Sequence, residues 1–265
     1  MPQMNVNNVN LNYIDTGNGD EVLVFSHGFL FSHEMFNQQI DYLKSKFRII
    51  AFDHRGQGES ELTKTGYTLE NLVEDAKQLI ESLKLGKVHF IGLSMGGFVG
   101  LRLACWHPEM VKTLTILESS ADKEETVSKL KYKVLGAVVK LFGFKIVCSS
   151  VMKILYGKTF LKDQARKDER AQWKNFLLNR NVSGALKTLK GFNARNDFSE
   201  QLHNIKCPTM VLVGEEDVAT PLKYSDKMNN LIPNSKLVKI PEAGHSSPIE
   251  NPEFVSKAIE EFIMS

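Results

Sequence analysis

The chain has 265 residues, a mass of 29.9 kDa, 42% hydrophobic and 24% charged residues, and a net charge of +2. A chain of this length buries roughly three quarters of its unfolded surface, so neither disulfides nor a metal are needed to hold its core. The composition excludes fibrous and disordered classes, and the near-neutral total gives no sign of a nucleic-acid partner. Three cysteines at wide spacing, Cys105, Cys148 and Cys207, with no CxxC pair, fit neither a zinc knuckle nor a disulfide framework. The first residues carry no basic and apolar leader pattern, so a cytoplasmic location without stable membrane insertion is the expectation.

Charge is distributed unevenly. Residues 121–203 hold 17 basic and 8 acidic side chains, a net of +9, which leaves −7 for the remainder.

Val9 to Ile14 alternates as a half-buried strand does, and residues 15–20 read as a turn. Val22 to Phe25 is a short apolar run, the mark of a strand covered on both faces. Helical spacing follows over 35–43, then a second buried strand over 47–52. Residues 68–83 repeat apolar side chains with helical period, with Thr68 and Asn71 or Leu69 and Leu72 as the start and Gly86 as the stop. Val88 to Leu93 is a third buried strand, Met95 to Trp106 a helix and Val111 to Leu117 a fourth strand. The rhythm stops near Ser119. Residues 121–203 show helical periodicity without a buried strand. Strands return at 209–213 and 237–240, and a helix closes the chain from Pro252 to Ile263. Such alternation implies an α/β domain with a mostly parallel sheet and helices on both faces. The organisation expected is a core of residues 1–120 and 204–265 carrying a helical cap at 121–203.

Gly92-Leu93-Ser94-Met95-Gly96 matches G-x-S-x-G where a buried strand turns into a helix. The spacing has a steric reason. A serine on a sharp turn stands clear of the backbone only if the residues on either side can approach closely, which Gly92 and Gly96 allow. The helix from Met95 offers free N–H groups and a positive dipole end to a developing oxyanion. A serine hydroxyl needs a base, and the base needs an orienting acid. His245 follows the last strand, at the end of the sheet where Ser94 sits. The other histidines have no comparable placement, and His27 reads as a holder of its loop. Asp217 follows the 209–213 strand and is the candidate acid, with Glu118, Glu215 and Glu216 as rivals. The oxyanion would be held by the Met95 N–H and by the Phe29 N–H, with Leu30 as the alternative.

These residues resemble the α/β-hydrolase superfamily along nearly the whole chain. The resemblance rests on His27-Gly28 after one strand and Asp53-His54-Arg55-Gly56-Gln57-Gly58-Glu59-Ser60 after the next. It includes the Ser94 elbow, the order Ser94, Asp217, His245, and Asn251-Pro252-Glu253-Phe254 opening the last helix. It implies an eight-stranded, mostly parallel sheet with a helical cap after the sixth strand. It also implies a serine hydrolase of carboxylesterase type, needing no cofactor and no metal, acting on esters of small to medium apolar acyl groups. A C–C bond hydrolase, an enol-lactonase or a slow-turnover small-molecule receptor are the alternatives. Serine at the elbow disfavours the chemistry of dehalogenases and epoxide hydrolases, which carry Asp there. The apolar residues of 134–155 point to a hydrophobic substrate group, and the basic balance of the cap to modest steering of anionic ones.

Overall fold

A computed structural model describes residues 1–17 and 19–265, without the side chains of 126 and 127. The turn expected over 15–20 therefore lies in part, at Asn18, outside the described residues. The strands are β1 (Gln3–Val6), β2 (Val9–Asp15), β3 (Val22–Ser26), β4 (Arg48–Phe52), β5 (Val88–Leu93), β6 (Val111–Leu117), β7 (Thr209–Gly214) and β8 (Ser235–Ile240). They form one eight-stranded sheet in the order β1-β2-β4-β3-β5-β6-β7-β8. The β1/β2 and β2/β4 pairings are antiparallel, and every other pairing is parallel.

The buried runs lie in the middle of this sheet because both faces there are covered. Val22 and Val24 enter one core cluster while Leu23 and Phe25 enter the other; Ile50 and Phe52 oppose Ile49 and Ala51 in the same way. This is the two-residue period of a strand packed on both sides. Helices α1 (Asn37–Leu43) and α11 (Pro252–Met264) cover one face; α2 (Leu69–Ser82), α3 (Met95–Trp106) and α9 (Leu222–Leu231) cover the other. The Thr68 hydroxyl caps α2 by accepting the Asn71 N–H, as its position implied. Between β6 and β7 the chain inserts α4 (Thr126–Phe142), α5 (Cys148–Leu155), α6 (Lys158–Lys162), α7 (Lys167–Leu178) and α8 (Val182–Asn193). Their inner residues, among them Val139, Val151 and Leu155, join the core cluster on the α1/α11 face. The short α10 (Ser247–Glu250) precedes α11. No described helix is long and apolar enough to cross a membrane.

The strand order sets where a site can form. From β3 the chain moves to β4 on one side and later to β5 on the other, so the loops after β3 and β5 diverge and open a crevice at the carboxyl ends of the strands. Ser26 pairs with Gly92 across this point, which brings the 27–30 loop against the β5–α3 turn.

Asp53, just after β4, ties together β2, the His33 turn that follows the 27–30 loop, and its own loop at Glu59. Its buried carboxylate accepts from the His33 N–H (2.8 Å), His33 Nδ1 (2.9 Å), Asn12 Nδ2 (2.8 Å) and the Glu59 N–H (2.9 Å). Burial works against its charge, but the His33 hydrogen bond, the nearby imidazoles and the Glu59 N–H hold it well below the usual carboxylate range. Replacing Asp53 by Ala strands these donors. Urea unfolding should show a loss of about 3 kcal/mol or more; a loss below about 1 kcal/mol would deny Asp53 this role.

Candidate active site

Ser94 stands between β5 and α3 with φ 51° and ψ −107°. A residue with a side chain is strained there by about 1–3 kcal/mol. Two close approaches hold it in place. A Cβ on Gly92 would overlap the Gly96 carbonyl, and a Cβ on Gly96 would overlap the Ser26 carbonyl of β3. The Ser94 N–H donates to Leu117 O (2.8 Å), and the Ser119 hydroxyl donates to Ser94 O (2.8 Å). The turn is therefore fixed on both sides by β3 and β6.

Ser94 Oγ lies 2.9 Å from His245 Nε2, and His245 Nδ1 lies 2.9 Å from Asp217 Oδ2. Each distance is that of a hydrogen bond. With the Nδ1 proton donated to Asp217, Nε2 is left as an acceptor for the serine hydroxyl. Asp217 follows β7 and also accepts from the Ala219 N–H (2.8 Å), the Thr220 N–H (3.1 Å) and the Thr220 hydroxyl (2.8 Å). Burial raises the cost of its charge; the His245 charge and hydrogen bond and the Thr220 donors outweigh that and keep its pKa lowered.

The rival acids stand elsewhere. Glu118, in positive φ just after β6, accepts the Gly214 N–H at 3.1 Å and forms no described bond to His245. Burial and the neighbouring Asp217 charge push its carboxyl well above the usual range. Glu216 binds the Thr159 N–H (2.8 Å) and hydroxyl (2.7 Å), and Glu215 forms no described bond to His245.

Phe29 and Met95 line the same cavity as Ser94, and their N–H groups have no acceptor within the described chain. The Leu30 N–H is taken, donating to Gln57 Oε1 at 2.8 Å. His27 is a structural pin. Its Nδ1 proton is donated to Gly28 O (2.7 Å) and its Nε2 accepts the His54 N–H (2.9 Å). Burial lowers its pKa to about 4, so it stays neutral. Among the described residues, no group of three or more His, Cys, Asp or Glu converges as a metal site, and all three cysteines are free.

The cavity is about 170 Å³ and mostly apolar. Phe29 and Met95 lie beside Ser94, and Leu135, Val139, Val151 and Leu155 come from the inserted helices. Its charged residues belong to 122–125 and to Arg195, after α8. Arg195 pairs with Glu124 at 2.9 Å, donates from Nε to Asp122 O at 2.9 Å, and lies 4.4 Å over the Phe98 ring.

Three supporting residues escape a reading of the sequence. Thr220 orients Asp217; the Asx turn that Asp217 closes on the Ala219 N–H places it, but no spacing marks Thr220 itself. Gln57 holds the Leu30 N–H, and nothing in its immediate sequence marks that role. Glu250 ties the His245 loop to the insertion, accepting from the Ser246 N–H (3.0 Å) and the Gly157 N–H (2.7 Å).

A family model described as alpha/beta hydrolase fold matches residues 21–252. The chain belongs to that family. It is 27% identical to an uncharacterized hydrolase, YugF, of Bacillus subtilis, over 97% of this chain and 96% of that one. It is also 27% identical to 3-oxoadipate enol-lactonase 1 of Acinetobacter baylyi, over 94% and 91% respectively. Among solved structures, a thermophilic esterase from Thermogutta terrifontis superposes with a TM-score of 0.93 at 28% identity, covering 100% of this chain and 98% of that one. The chain is thus a hydrolase-superfamily enzyme for small organic substrates, with a buried His–Asp pair arranged as a catalytic dyad requires.

Burial raises the Glu250 carboxyl to about 7 against the pull of the Gly157, Gly244 and Ser246 N–H groups. A folded pKa above the unfolded one gives stability that is complete below about pH 4.5 and lost as pH rises through about 7. Melting temperatures across pH 5–8 should therefore fall less steeply in Glu250→Gln than in the parent. Equal slopes would show that Glu250 does not take up a proton on folding.

Proposed function

We propose that the protein is a serine hydrolase of carboxylesterase type, cleaving esters of small to medium apolar acyl groups through an acyl-enzyme. The observation that carries this reading is the continuous Ser94–His245–Asp217 hydrogen-bond chain, 2.9 Å at each link, at the floor of an apolar cavity. Ser94 Oγ attacks the ester carbonyl while its proton passes to His245 Nε2. Asp217, held anionic by its four donors, orients the imidazole and balances the imidazolium. The Phe29 and Met95 N–H groups bind the oxyanion. The ester C–O bond then breaks, and the alkoxide leaves with the His245 proton. Water gives a proton to His245, attacks the acyl carbon and releases the acid, and Ser94 recovers its proton. Gly92 and Gly96 serve this chemistry by making the turn possible. Residues 121–203 act as the cap that shapes the acyl pocket.

The cavity volume is below the roughly 300 Å³ at which pockets for drug-sized ligands begin, which favours short acyl groups. Its charges favour neutral substrates over anionic ones. The lining holds two cations, Lys123 and Arg195, against three carboxylates, Asp122, Glu124 and Glu125, and Arg195 is already paired with Glu124. Anion steering by the basic insertion is therefore not the expectation at the pocket. Enol-lactone hydrolysis is the second reading, favoured by the 27% identity to a 3-oxoadipate enol-lactonase. A lactone of that dicarboxylic acid keeps one carboxylate, which the Glu124–Arg195 pair disfavours.

Two measurements test this. With p-nitrophenyl acetate through decanoate, the parent should turn over many times with an optimum at short to medium chains. Ser94→Ala should lose about a thousandfold or more in kcat/KM; retained turnover in that variant would refute the assignment, and a single burst without turnover would favour a receptor. In Glu124→Gln, kcat/KM for a carboxylate-bearing hemiester should rise about tenfold relative to its neutral analogue. An unchanged ratio would remove Glu124 as the residue that keeps anions out.

A further inference from the structure

Residues 126–162 contain eight lysines and not one Asp, Glu or Arg. The same stretch carries a run of large apolar side chains turned to solvent: Leu130 is 63% exposed, Val134 58%, Leu141 75%, Phe142 67% and Ile146 63%. At about 100° per residue, Leu130, Val134 and Leu141 fall within roughly 40° of one another on α4. Lys133 and Lys140 flank that stripe on one side and Lys131 on the other, and all three are exposed. Phe142, the last residue of α4, and Lys145 and Ile146 beyond Gly143 extend the exposed surface past the helix. The opposite face of α4 is already used, since Tyr132, Leu135 and Val139 line the cavity. The outward stripe therefore does not serve the pocket, and leaving it exposed costs solubility without any benefit to the core.

We infer that this face of α4, from Leu130 to Ile146, is a docking surface for an anionic lipid bilayer. Aliphatic and aromatic side chains flanked only by lysines form the pattern of a helix that lies in the plane of a membrane interface. Charge selects this occupant over a second copy of the chain. Pairing the face with itself would set two all-lysine borders against each other with no carboxylate between them. An anionic headgroup layer neutralises each lysine near the surface, while the apolar stripe enters the acyl boundary. The contact is peripheral and reversible, and it is independent of the reaction assigned to Ser94.

The test is cosedimentation of the full chain with vesicles of mixed phosphatidylglycerol and phosphatidylcholine, against pure phosphatidylcholine. Light scattering of the free protein runs alongside. The parent should pellet with the anionic vesicles at low salt and be released at high salt. The double variant Leu141→Asp/Phe142→Asp should lose about tenfold or more in vesicle partitioning. Its ester turnover in solution should remain unchanged, since neither residue lines the cavity. Absence of binding to anionic vesicles, or binding undiminished in the double variant, would overturn the proposal. So would a dimer that the double variant splits while neither form binds vesicles, because the face would then belong to a second copy.

Discussion

Ser94 holds a positive φ because three backbone segments close on one point: β5 at Gly92, α3 at Gly96 and β3 at Ser26. No side chain fits between them. The rest of the site follows from that closure. The hydroxyl is lifted off the strand, the α3 N-terminus is left with the Met95 N–H free, and the 27–30 loop is drawn alongside by the Ser26–Gly92 register. The strain of one residue is affordable in a core this large, and the parallel strands on either side supply the rigidity to keep it. His245 and Asp217 then need only arrive at the same edge, which the carboxyl ends of β8 and β7 provide.

Much of this was legible in the sequence because the central strands are buried on both faces. β3, β4 and β5 announce themselves as apolar runs, and β5, α3 and β6 begin and end where the pattern places them. Neither β1 nor α9 shows in the sequence pattern. β1 is four residues long with only Val6 buried, and it is fixed by pairing with β2 and not by its own pattern. α9 buries only Ser225 and Met228, which is too little to give a visible stripe. β8, an edge strand with one buried residue, begins two residues before its apolar stretch.

The site was legible in part for a related reason. The Ser94 turn and the His245 loop carry local signals, whereas the choice between Asp217 and Glu118 depends on two acidic side chains that follow neighbouring strands. Geometry and solvation separate them. Asp217 meets the imidazole while accepting three further hydrogen bonds, whereas Glu118 is buried, accepts from the Gly214 N–H and has its carboxyl pushed well above the usual range. Glu124–Arg195 is invisible to pattern reading, because the net +9 of the insertion conceals a carboxylate-lined pocket edge. The basic residues are spread along the insertion, and Lys131, Lys133 and Lys140 stand exposed on α4.

The most direct measurement of the central claim, that Ser94 is an activated nucleophile, is labelling of the folded protein with a fluorophosphonate, read by intact mass and peptide mapping. The account predicts a single adduct per chain on Ser94, formed far more slowly when His245 is replaced by Ala. Label spread over other serines, or none on well-folded protein, would contradict it.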